Sequence, residues 1–62
     1  MNTRQEKDIL KYLRNIKVIT SSELAKHLGV SWNTAQNYLM ELALNGDIIR
    51  IKKEGVNLWL LK

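Results

Sequence analysis

The sequence reads as a mainly α-helical α+β chain, three helices followed by a C-terminal β-hairpin, within one domain spanning residues 1–62. Three features carry that reading. Apolar residues recur at helical spacing in three successive segments, the apolar period falls to two after Gly46, and the joints are short and hold Gly, Ser or Thr.

The first helix is expected over 3–16, TRQEKDILKYLRNI. At about 100° per residue, Ile9, Leu10, Leu13 and Ile16 share one arc with Tyr12 at its border, and Lys7, Lys11, Arg14 and Asn15 take the other side. Val18 and Ile19 form a short extended link. The second helix, 21–28, is announced by Thr20 and, three residues on, Glu23, a capping box that satisfies two orphan amides. Its apolar stripe is narrow (Leu24, Ala25, Leu28), and Gly29 supplies a left-handed stop. Ser31 is a good N-cap for the third helix, 32–45, whose apolar arc is Ala35, Tyr38, Leu39 and Leu42. Gly46 ends it. The segment 48–61 reads as two strands, β-branched from Ile48 to Lys52 and apolar from Leu58 to Leu61, around a turn at 53–57 in which Gly55 takes the positive φ.

Composition narrows the function. A chain this short buries only about 60% of the surface its unfolded form exposes, and without Cys it has neither a disulfide framework nor a thiolate metal site. The only histidine, His27, lies beside the apolar stripe of the second helix and has no partners for a zinc. There is no Ser/His/Asp constellation and no Gly-rich phosphate loop. An enzyme, a metal and a cofactor are therefore not expected. Nor is a small-molecule ligand, since a pocket of about 300 Å3 or more leaves few residues to surround it. No apolar run approaches the roughly 18 residues of a membrane span, and the opening MNTRQEKD is not a signal segment, so a soluble, cytoplasmic, nucleoid-associated protein is expected. Ten Lys+Arg against six Asp+Glu give net charge +4 and a pI near 9.7. That balance suits an acidic partner, nucleic acid being the commonest.

The second and third helices are joined only by GVS, the short Gly-containing connection of a helix-turn-helix, and the hairpin stands where a wing would. The run SSELAKHLGVSWNTAQNYLMELALNGDII resembles the winged helix-turn-helix family of small prokaryotic and archaeal transcription regulators: a Glu-Leu-Ala opening, a Leu-Gly-Val-Ser turn, then Leu-x-x-Leu-x-x-x-Gly-x-Ile into the wing. The resemblance implies a double-stranded DNA partner, with the third helix in the major groove. Its stretch SWNTAQNY holds no Lys or Arg, yet its amides suit base reading, because Asn and Gln pair bidentately with adenine. Trp32, Asn33, Thr34, Gln36 and Asn37 are the expected base contacts. The expected backbone contacts are Thr20, Ser21, Ser22 and Lys26 of the second helix, Ser31 at the start of the third, and Arg50, Lys52 and Lys53 of the wing. Lacking an Arg for guanine, the helix is expected to prefer sites containing A·T.

Left-handed Z-DNA binders share this fold and carry a Trp in the wing, where Trp59 stands. Counted back from Gly46, however, Gln36 and Met40 occupy the places of that branch's Asn and stacking Tyr, and the wing has no proline pair. Z-DNA is therefore disfavoured, and Trp59 is expected in packing or at an interface. Apolar residues beyond the core stripes suggest a homodimer using Tyr12 of the first helix, or Leu44 and the hairpin face with Trp59 and Leu61. The competing function is a protein-interaction or RNA-binding winged helix, which would also leave the third helix without cations.

Overall fold

The structure, a computed structural model, describes residues 3–62. Along the chain run α1 (Thr3–Ile16), β1 (Val18–Ile19), α2 (Ser21–Leu28), α3 (Trp32–Leu44), β2 (Ile48–Lys53) and β3 (Val56–Leu61). The strands form one antiparallel sheet in the order β1-β3-β2. The architecture is that of a winged helix-turn-helix.

Each helix ends for a local reason. α1 stops at Lys17, whose φ is 76° and whose N–H donates to the Leu13 carbonyl at 2.7 Å. This is the left-handed cap that usually falls to glycine, and the chain builds it with a lysine. α2 begins at Thr20, whose Oγ1 accepts the Glu23 N–H at 3.2 Å. The Glu23 carboxylate meets the Thr20 hydroxyl at 3.4 Å, so the cap closes one orphan amide where a reciprocal box closes two. α2 ends at Gly29, with φ 70°. α3 is one residue shorter than the spacing predicts. Asn45 is its cap, and the last carbonyls are closed by Gly46 N–H to Ala43 at 3.1 Å and Asp47 N–H to Leu42 at 3.0 Å.

The hairpin is tighter than expected. Glu54 and Gly55 have φ of 50° and 79°, the two positive values of a type I′ turn. Lys53 therefore pairs directly with Val56, and β3 starts at Val56 instead of Leu58.

Ile9, Leu13, Ile19, Leu24, Ala25, Ala35, Leu39, Leu42, Ile48 and Trp59 make up the core. Every element contributes to it, and Trp59 is the largest buried side chain. The register pairs Trp59 with Ile19 on one side and Arg50 on the other, so one sheet face carries Ile19, Ile48 and Trp59 against the helices.

An L-residue held left-handed costs about 1–2 kcal/mol. The variant Lys17→Gly should recover on the order of 1 kcal/mol, offset in part by the extra freedom of its unfolded chain, and raise the melting temperature by about 4–8 °C per kcal/mol gained. A thermal melt followed by circular dichroism checks this; an unchanged or lower midpoint would mean that Lys17 is not strained.

Candidate nucleic-acid interface

α3 is held by the cap Ser31, whose Oγ accepts the Thr34 N–H at 3.3 Å. Ala35, Leu39 and Leu42 are buried on one side of the helix, which turns Trp32, Asn33, Asn37, Met40 and Leu44 outward. The outward face changes character along its length. Its first two turns present an indole and two primary amides, and its last two present a thioether and an isobutyl group. Asn33 and Asn37 are exposed, and no other described side chain binds their amides. No acid stands in the first turn of α3, so the positive end of its dipole is left unneutralised by its own side chains.

The wing lies alongside this helix. One shallow concavity joins Met40, Ala43 and Leu44 of α3 to Arg50 and Trp59. A second, of about 220 Å3, joins the start of α2 (Thr20, Ser21, Ser22) and Trp32 and Gln36 of α3 to Gly55, Val56 and Asn57 at the hairpin tip. β2 thus starts beside the C-terminal end of α3 and runs back toward its N-terminal end. Strand alternation puts Arg50 and Lys52 on the helix side of the sheet, in line with Ile48 but exposed beyond the core. Arg50 lies against the apolar half of α3, beside Met40, Ala43 and Leu44, and Lys52, paired with Asn57, is nearer its amide-bearing half.

Several expected site residues are placed differently. Ser21 is buried at 4% exposure, and its hydroxyl donates to Gln36 Oε1. That bond ties α2 to α3, takes Ser21 off any surface that reaches a phosphate through its side chain, and leaves Gln36 half-buried with one amide atom engaged. Thr34 is half-buried, and its hydroxyl lies 2.9 Å from that of Ser31, so the two engage each other. Lys53 points to the outer side of the sheet, apart from Arg50 and Lys52. Ser22 and Lys26 are exposed on α2, and Thr20 spends its hydroxyl on the helix cap.

The residues suggested for a dimer do not come together. Trp59 is 1% exposed and Leu61 packs against the core, because theirs is the inward sheet face. That removes the hairpin face with Trp59 and Leu61 as a docking surface. Tyr12 stacks on His27, ring centroids 3.7 Å apart and planes 6° from parallel, so one face of its ring is already covered. Leu44 alone of the four projects fully, at 86% exposure.

A family model described as an HTH domain matches residues 5–56, from α1 to the first residue of β3. The chain belongs to the helix-turn-helix domain family. Membership supports DNA binding and a part in transcription regulation, in a family whose members are typically not enzymes. No curated protein and no solved structure matches the chain. In this HTH domain no described helix is long and apolar enough to cross a membrane, and the described residues contain no group of three or more His, Asp or Glu fit to hold a metal ion.

Sequence reasoning passed over Asn57. It pairs with Lys52 on the helix side of the wing and lines the concavity shared with Ser22, Trp32 and Gln36, adding a fourth amide to those of Asn33, Gln36 and Asn37 on this side of the HTH domain. Counting back two from Trp59 gives Asn57 the same face, but a turn spanning 53–57 leaves Asn57 out of the strand.

Proposed function

We propose that residues 1–62 act as one sequence-specific double-stranded DNA-binding domain, a transcription repressor of the cytoplasm and nucleoid. The amide-bearing half of α3 enters the major groove and the wing lies along the backbone. Asn33 and Asn37 read base edges, with Trp32 against sugar or thymine methyl groups and the free end of the Gln36 amide beside them. Arg50 and Lys52 hold phosphates, joined by Ser22, Lys26 and the α3 N-terminus at Ser31. The observation that supports this most is the division of labour around α3: exposed, unengaged amides on its first two turns and cations on the wing strand that runs along it. A surface with three or four phosphate contacts binds weakly, so two copies on adjacent half-sites are part of the proposal.

Selection from random duplex DNA, carried out at low and at moderate salt, tests it. The expected product is a motif containing A·T pairs at the positions facing α3. Its affinity should fall with a slope of log K on log salt of about −3 for each bound copy, as three to four neutralised phosphates require. A G·C-only motif, or affinity indifferent to salt, would overturn the proposal.

A further inference from the structure

The side of the sheet turned away from the helices is almost wholly apolar. The register aligns Val18 of β1, Leu60 of β3 and Ile49 of β2 in one row, and Leu58 with Ile51 in the next, with Val56 beside Lys53 at the turn. Val18, Ile49, Ile51 and Val56 are 40–48% exposed. Leu58 and Leu60 between them are half-buried and do not belong to the core cluster. An antiparallel sheet with one face in water usually alternates apolar-in with polar-out. Here the polarity of β2 is reversed: its cations Arg50 and Lys52 are on the helix side, and its isoleucines Ile49 and Ile51 face outward. Both departures are resolved if the helix side meets an anion and the outer side meets protein.

We propose that this outer face is where a second copy of the chain docks, sheet against sheet about a two-fold axis. The inference rests on the two-copy reading above and names its surface. The area fits: the six side chains expose on the order of 400 Å2 of apolar surface, within the ~300–600 Å2 of a monomer's largest patch. Pairing the face with itself buries about twice that, the size of a weak, reversible interface below the ~1,200 Å2 of stable ones. The chemistry also favours a like partner. A two-fold interface sets each residue row against the same patch, and the middle of this face is uncharged, so no like charges meet. At its rim the same alternation leaves Lys53 at one end and Lys62 beside Asp47 at the other, too few cations to hold a partner with an acidic rim. Extension along the free edge of β2 is opposed by the charges of Arg50, Lys52 and Lys53 on that strand.

Sedimentation equilibrium on the full chain, with and without half-site duplex, tests the assignment. The wild type should dimerise reversibly at micromolar concentration. Each copy carries +4, so the dimer should tighten as salt screens that repulsion, whereas DNA binding should weaken. Ile51→Lys and, separately, Ile49→Glu should weaken self-association roughly tenfold or more while keeping the helical circular dichroism spectrum and half-site binding. Leu44→Lys, on the far side of the molecule's exposed apolar surface, should leave the dimer intact. A wild type that stays monomeric at the highest concentration overturns the proposal, as does a dimer broken by Leu44→Lys and not by Ile51→Lys or Ile49→Glu. A dimer that binds no duplex overturns the DNA reading and leaves the docking face standing; a monomer that binds the half-site does the reverse.

Discussion

Replacing Trp59 by alanine should remove most of the stability of the fold. Removing a buried Trp side chain typically costs about 3–5 kcal/mol, and a chain of this length has in total roughly 3–9 kcal/mol at the usual 0.05–0.15 kcal/mol per residue. Trp59 contacts both layers. It pairs across the sheet with Ile19 and Arg50 and closes the core beneath the helices, so its loss opens a cavity that neither layer can fill alone. Urea titration should show the midpoint falling by half or more, or no cooperative transition. A midpoint close to that of the wild type would mean that the indole is not the keystone of the core. Trp59→Phe should be milder than its lost volume implies. The indole Nε1 is buried and has no hydrogen-bond partner among the described residues, and a ring lacking that donor is spared the desolvation cost of an unpaired group, about 1–3 kcal/mol.

Asn37→Ala is expected to weaken binding to the selected duplex by about 1–3 kcal/mol, roughly 5- to 150-fold, the worth of a bidentate amide–adenine pair. Binding to random duplex and the salt slope should stay as they are. Arg50→Ala should do the opposite, weakening all sequences evenly and reducing the slope by about one. Asn37 is the cleaner probe of base reading because its side chain is exposed and supports no other described residue. Gln36 also holds Ser21, so Gln36→Ala loosens the joint between α2 and α3 as well as the contact surface. Fluorescence anisotropy with a labelled duplex measures each case. Equal affinity of Asn37→Ala and wild type for the selected site would remove α3 from base recognition.

The second and third helices were legible in the residues because their ends are marked chemically: Thr20 and Ser31 cap their starts, and Gly29 and Gly46, both at positive φ, close their ends. Lys17 and Glu54 were not legible as left-handed positions. Nothing in a lysine or glutamate side chain signals a positive φ, and the surrounding fold imposes it. The hairpin strands were legible, but not which face points inward, because both faces carry large apolar groups. Pairing with Val18–Ile19, a contact more than thirty residues away in the chain, settles that choice in favour of Trp59. In the site, a wheel drawn for α3 alone separates core from surface and finds Asn33 and Asn37. It cannot show that α2 packs Ser21 against Gln36, since that depends on how the two helices approach. Lys52 and Lys53 are neighbours in sequence and look interchangeable there, yet strand alternation sends them to opposite sides of the sheet.

The pairing of Val18 and Ile19 with Leu60 and Trp59 also determines when the protein can become itself during synthesis. Three helical segments emerge from the ribosome first, but the strand that supplies their largest core side chain is made after all of them. Until Trp59 is clear of the exit tunnel, the nascent helices have no lid for their apolar stripes. The core can therefore close only once β3 has been made, even though most contacts of the fold are local in sequence.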